Sequence, residues 1–170
     1  MTDAVPRVFV ALGSNLGERE AHLVFAIREL RASEATRVVA VSPVFETDPV
    51  GPPPQGPYLN AVVELRTALA PRALLARLLA IEAGAGRERR GARNAARTLD
   101  LDLLLYGDRV LDEPGLALPH PRLAERGFVL EPLCALAPEL VHPVLREPLA
   151  ALATRVRNRS AVRVVHYTLE

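Results

Sequence analysis

Two hydrophobic rhythms alternate along the chain. Val8 to Leu12 is an unbroken apolar run that stops at Gly13, the pattern of a strand covered on both faces. Glu18 to about Ala32 changes to the helical period, with Leu23, Ile27 and Leu30 at i, i+4 and i+7. Thr36 to Phe45 is rich in β-branched residues (Val38, Val39, Val41, Val44) and predicts strand. Tyr58 to Leu65 predicts another. Pro71 suits the first turn of a helix that runs to about Ala85 on Leu74, Leu75, Leu78 and Leu79. Arg97 to Tyr106 reads as strand. A turn at Tyr106–Arg109 leads into a short strand at Val110–Leu111, and Leu118–Pro121 is a rigid loop. Helices are predicted at Phe128–Leu136, despite Pro132, and at Leu149–Val156, with a closing strand over Val162–Leu169. The order βαββαβ, without repeats or linkers, predicts one α+β domain over 1–170: a ferredoxin-like, antiparallel-rich sheet with helices packed on its faces.

Three polar interruptions carry the candidate chemistry. Gly13-Ser14-Asn15-Leu16-Gly17 is a loop. Thr47 to Pro57 holds five prolines and two glycines, which exclude both helix and central strand and leave a stiff loop of a length usually kept for function. The third is Arg97-Thr98-Leu99-Asp100-Leu101-Asp102. On a strand, Asp100 and Asp102 share one face while Leu99, Leu101 and Leu103 share the other. Two carboxylates on one face repel unless a cation sits between them, and a hard ion such as Mg²⁺ suits them. Upstream, residues 87–97 hold five Arg and one Glu, a local charge of +4. A metal site beside guanidinium groups suits polyphosphate chemistry. The competing reading is an edge strand with a solvated polar face next to an Arg-rich surface loop.

Composition narrows these options. The chain has 170 residues, 49% hydrophobic and 24% charged, as in an ordinary globular domain. A net charge of +1 gives no global pull toward nucleic acid or membrane. All 21 basic residues are Arg. With no Lys, neither a Walker phosphate loop nor a lysine Schiff base is available, so phosphate binding must rest on Arg, backbone N–H groups and metal. Cys134 is the only cysteine, which excludes an internal disulfide and points to the cytoplasm; its apolar surroundings, Val129 to Ala137, predict a buried thiol. No signal peptide and no membrane span are expected. A nucleic-acid binder built on such a sheet would need exposed aromatics, and aromatic residues make up 4% of this chain.

The motifs in order carry a resemblance. Ala11-Leu12-Gly13-Ser14-Asn15-Leu16-Gly17, Phe45-Glu46-Thr47-Asp48-Pro49-Val50-Gly51, Tyr58-Leu59-Asn60-Ala61, the Arg-rich loop with Arg97–Asp102, Pro119-His120-Pro121 and Arg126-Gly127-Phe128 follow one another at specific spacings. From about Val8 to Pro143 the chain resembles the 6-hydroxymethyl-7,8-dihydropterin pyrophosphokinases of folate biosynthesis. The resemblance implies that the pterin hydroxymethyl oxygen attacks the β-phosphorus of ATP and AMP leaves. It implies that Asp100 and Asp102 hold two Mg²⁺ ions against the triphosphate, with Arg87 and Arg97 as further catalytic residues. Glu82, Arg87, Arg89, Arg97, His120 and Arg126 match nucleotide-binding positions, His120 as a neutraliser of charge at the leaving group. Thr47, Pro49, Val50, Tyr58, Asn60 and Phe128 match the pterin site, with Tyr58 and Phe128 as the stacking pair. ATP and the pterin are the expected partners of a cytoplasmic monomer that binds neither nucleic acid nor membrane. Many relatives carry Trp and Pro just before the Asp strand; Asn94, Ala95 and Ala96 stand there in this chain, which has no Trp. A different Mg²⁺-dependent nucleotidyl-transfer enzyme would also fit a strand with two carboxylates. A catalytically dead relative with an interaction role is opposed by the intact set Asp100, Asp102, Arg87 and Arg97. His22, His142 and His166 are expected to be structural.

Overall fold

The computed structural model describes residues 5–48, 55–86 and 98–157, the backbone of 162–165, and Leu169. Pro49, Val50, Arg87, Arg89 and Arg97 lie outside the described residues, as do the rest of the Arg-rich loop, with Asn94 to Ala96, and His166. The elements are β1 (Arg7–Ser14), α1 (Arg19–Arg31), β2 (Thr36–Val41), β3 (Val44–Thr47), β4 (Tyr58–Thr67), α2 (Pro71–Gly84), β5 (Asp100–Tyr106), β6 (Leu111–Glu113), β7 (Leu116–Leu118), a short 3₁₀ turn (Leu123–Glu125), α3 (Gly127–Leu136), α4 (Leu149–Val156) and β8 (Val162–Val165).

The main sheet runs β5-β1-β4-β3-β8, and β2 also pairs with β4. Every pairing in it is antiparallel. β2 and β3 lie end to end along β4, so together they act as one strand and complete the ferredoxin-like order. The single strand predicted over Thr36–Phe45 breaks at Ser42–Pro43, because Pro43 has no N–H to give to the ladder. Ser42 bridges the gap. Its N–H donates to the Val62 carbonyl at 2.9 Å, and its Oγ accepts the Val62 N–H at 2.9 Å.

The sheet is covered on both sides, which is why β1 and β4 read as continuous apolar runs. On one face, α1 and α2 bury Leu23, Ile27, Leu30, Leu74, Leu78 and Ile81 against Val10, Leu12, Val63, Leu101 and Leu103. Pro71 occupies the first turn of α2, where its missing N–H has no helical partner to lose. On the other face, α3 and α4 set Val129, Leu130, Leu133, Leu149, Leu152 and Val156 on Phe9, Val62, Leu104 and Leu105. This second core reaches Ala11 and Val62. The next positions along the same strand faces are Gly13 and Asn60, and there the apolar cover ends.

Three local expectations are corrected. β5 begins at Asp100, not Arg97. The short strand foreseen at Val110–Leu111 is the first arm of a hairpin, with β6 paired to β7 and Gly115 turning between them at φ 75. Leu118, foreseen in a loop, ends the second arm.

Candidate active site

The two carboxylates are placed by the ladder between β1 and β5. Asp100 lies opposite Gly13 and Asp102 opposite Ala11. Leu99, Leu101 and Leu103 go into the core under α1 and α2, so both carboxylates emerge on the α3–α4 face, half-buried. Arg126, the residue before α3, brings Nη1 to 3.8 Å from Asp102 Oδ2. Its guanidinium also stands 5.5 Å from the centre of the Phe128 ring. Burial pulls the Arg126 pKa down and the Asp102 charge opposes that pull.

Glu82 lies in the last turn of α2. It is 2% exposed, and its Oε1 accepts the N–H of Leu101 at 3.1 Å. β5 forms one edge of the sheet, so this amide has no strand to bond to on its outer side. The α2 carboxylate takes the place of that strand, at the residue between the two aspartates.

His120 follows β7. Its backbone N–H donates to the Leu104 carbonyl at 2.9 Å, and its Nδ1 accepts the Arg122 N–H at 3.1 Å. Burial first, then the Arg126 charge, pushes the imidazole down to about 4, with Asp100 opposing. The ring is therefore neutral near pH 7 with its proton on Nε2. In this state it offers a hydrogen-bond donor. Two residues before Asp100, the Thr98 hydroxyl is buried with no hydrogen-bond partner among the described residues.

On the other side of β1, Asn60 is buried and its Nδ2 donates to Thr47 Oγ1 at 2.6 Å. Asn60 lies opposite Gly13 in β1, and Thr47 lies opposite Tyr58 in β4. A Cβ on Gly13 would come within 3.3 Å of Asn60 Oδ1 and 3.6 Å of Tyr58 Cδ1. The missing side chain therefore leaves a flat floor between Asp100 and Asn60, whose backbones are about 10 Å apart at two strand spacings. Phe128, at the start of α3, is half-buried on this same face. The structure thus groups Thr47, Tyr58 and Asn60 on one side of Gly13, and Asp100, Asp102, Arg126 and His120 on the other.

Two residues that the motifs did not assign act beside this group. Asn15 Nδ2 donates to Gln55 Oε1 at 2.7 Å and to the Gly56 carbonyl at 3.2 Å. Arg19 Nη1 donates to the Pro57 carbonyl at 2.9 Å and to Glu46 Oε2 at 3.3 Å. The place of Asn15 within Gly13–Gly17 is the signal that could have found it; no motif in the sequence singles out Arg19. Cys134 is half-buried beside the second core, and burial pushes its thiol up to about 11, so it stays protonated. No group of three or more His, Cys, Asp or Glu able to hold a metal occurs among the described residues. No helix among them is long and apolar enough to cross a membrane.

Fold and site define a class: an antiparallel α+β domain that gathers paired carboxylates, an arginine and a buried amide around a bare glycine at one end of its sheet. The family model described as 7,8-dihydro-6-hydroxymethylpterin-pyrophosphokinase (HPPK) matches residues 9–138, and the chain belongs to that family. It is 48% identical over 139 residues to a 2-amino-4-hydroxy-6-hydroxymethyldihydropteridine pyrophosphokinase of Pseudomonas aeruginosa, covering 82% of this chain and 85% of that one. It is 42% identical over 132 residues to the Bacillus subtilis protein of the same name, covering 78% of each. Against the folic acid synthesis protein fol1 of Schizosaccharomyces pombe, identity is 39% over 141 residues, but the match spans 19% of that longer chain. Among solved structures, a Plasmodium falciparum HPPK-DHPS has a TM-score of 0.72 at 14% identity, covering 93% of this chain and 45% of that one. The likeness there is one of fold, and this chain spans less than half of that protein.

Proposed function

We propose that this chain transfers a pyrophosphoryl group from ATP to the hydroxymethyl group of 6-hydroxymethyl-7,8-dihydropterin, giving AMP and the pterin diphosphate for folate biosynthesis. The observation that carries the reading is the row Asp100–Gly13–Asn60 across three strands. It sets a floor without a side chain between a hydrogen-bonding amide and the carboxylates. A flat heterocycle on that floor meets Asn60 and Thr47 at its edge and directs its hydroxymethyl arm toward Asp100. Tyr58 and Phe128 supply its aromatic neighbours, and the backbone at Thr47 and Asp48 adds edge contacts. Family membership and the names of its relatives support the same chemistry.

In the reaction the hydroxymethyl oxygen forms a bond to the β-phosphorus. The bond from that phosphorus to the α,β-bridging oxygen breaks, AMP leaves, and the hydroxyl proton is released. Asp100 and Asp102 fit Mg²⁺: two hard oxygen donors with no third ligating side chain among the described residues, which suits an ion that keeps waters and substrate phosphate oxygens. Two such ions would supply charge neutralisation and in-line alignment of the triphosphate. Arg126 and the neutral His120 are placed to donate to phosphate oxygens, joined by Arg87, Arg89 and Arg97; Arg87 and Arg97 follow the charge as it develops. Glu82 serves this side through β5, by holding the Leu101 amide. We read the protein as a cytoplasmic, single-domain monomer over 1–170; its lone cysteine and balanced charge support the compartment.

The test is AMP release from ATP and Mg²⁺ with and without 6-hydroxymethyl-7,8-dihydropterin. AMP formed only with the pterin is the expected result. No AMP from folded protein that binds ATP would overturn the reading.

A further inference from the structure

We infer that Arg19, assisted by Asn15, is a positioning residue for the pterin: it clasps together the two ends of the Pro-rich loop between β3 and β4 and so sets the shape of the pocket edge. The inference rests on the pterin reading above. Thr47 and Tyr58 are ladder partners, so the loop leaves and re-enters the sheet at one point. Glu46 precedes Thr47 on the way out, and Pro57 precedes Tyr58 on the way back. A single guanidinium nitrogen of Arg19 reaches both, Glu46 Oε2 at 3.3 Å and the Pro57 carbonyl at 2.9 Å. The two ends are thereby held to one donor on the first residue of α1.

Asn15 holds the returning end alone, just before Pro57. It is 7% exposed, and its amide nitrogen donates to Gln55 and to the Gly56 carbonyl. The stretch that carries both donors is itself fixed. The Arg19 N–H donates to the Gly17 carbonyl at 3.0 Å, and the His22 N–H to the Glu18 carbonyl at 3.0 Å. Arg19 and Glu46 are 27% and 21% exposed at their side chains. Their charge-assisted contact is thus more shielded from water than a surface pair.

The residues just inside the clasp are Thr47, Tyr58 and Asn60, the pterin side of the site. Asp100 and Asp102, on β5, stand across β1 from the strands that carry the loop ends. Loss of the clasp lowers the fraction of molecules whose loop ends hold the binding arrangement, and apparent pterin affinity falls by that fraction while nucleotide affinity does not. A role in overall stability alone would move both substrates and the melting temperature together.

The experiment compares Arg19→Met, Arg19→Lys and Glu46→Gln with the unaltered chain, measuring KM for 6-hydroxymethyl-7,8-dihydropterin, KM for ATP, kcat and Tm. Arg19→Met is expected to raise the pterin KM about tenfold. KM for ATP should stay within twofold and Tm should hold. Arg19→Lys, which keeps a donor of like charge, should recover part of the loss, and Glu46→Gln should show a smaller rise. A pterin KM within twofold of the unaltered value in Arg19→Met overturns the inference alone. So does a parallel change in both KM values with a lowered Tm. Absence of any pterin-dependent turnover in the unaltered chain overturns the pterin reading first, and the inference with it.

Discussion

The two faces of β5 are finished in opposite ways. Toward α1 and α2 it presents Leu101 and Leu103, each about 5% exposed or less, to a core that continues through Leu12, Ile27 and Leu78. Toward α3 and α4 its first residues present Asp100 and Asp102, half-buried, next to Arg126. The leucine face gains from every ångström of apolar surface removed from water. The aspartate face sets two like charges side by side, with the Arg126 guanidinium 3.8 Å from one of them. One strand therefore carries the core on one side and the proposed chemistry on the other, and substitution can separate the two.

The strongest attempt to break that division is Asp100→Ala or Asp102→Ala. Turnover should fall by at least about a thousandfold, while the fold is retained. AMP release together with thermal melting reads both; retained activity would remove the metal assignment. Leu101→Ala, one residue away, should do the reverse. It should cost about 2–5 kcal/mol in denaturant unfolding and leave KM values unchanged wherever the protein is folded. Glu82→Ala tests the seam between the faces, because it leaves the buried Leu101 amide without its acceptor. A loss of about 1–3 kcal/mol accompanied by a lower kcat is expected, and a Gln in its place, which still accepts, should restore most of both. A change in stability without any change in kcat would show that the seam does not reach the carboxylates.

The smallest effect is one of pH. His120 is held at about 4 in the folded chain against an ordinary 6.5, so between those values the unfolded state binds more protons. The histidine's share of stability is whole above about pH 6.5 and is lost as pH falls toward 4. His142, also lowered by burial, adds in the same direction. His120→Gln should flatten the acid limb of the stability curve by about 1–2 kcal/mol, after allowance for its partial exposure. An unchanged limb would contradict the burial of this ring.

What was legible in the sequence follows from where the information is local. The spacing of Leu23, Ile27 and Leu30 gave α1, and the alternation around Asp100 and Asp102 gave the two faces of β5, since period alone fixes both. The break at Ser42–Pro43 has a local cause in Pro43, but the bond that heals it comes from Val62, 20 residues away, and no window shows it. The Glu82 contact spans 19 residues and depends on β5 being an edge, a property of topology and not of any window. The neutral state of His120 follows from Arg126 and from burial, which exist only after folding. His142 is the structural residue foreseen: its Nδ1 accepts the N–H groups of Val144 and Leu145 at 3.2 and 3.0 Å. Arg19 was invisible for the same reason as Glu82, since both its partners arrive from another part of the sheet.

The cover on the outer edge of β5 has a consequence for how molecules of this protein meet one another. A sheet edge with open amides is a template on which a second chain can add a strand, the first step toward aggregates. Here the Leu101 N–H is taken by a carboxylate and the Leu104 carbonyl by the His120 amide. An incoming strand would find neither its acceptor nor its donor waiting. The contacts that hold the aspartate strand in place therefore also guard the protein, at this edge of its sheet, against recruitment into fibrils.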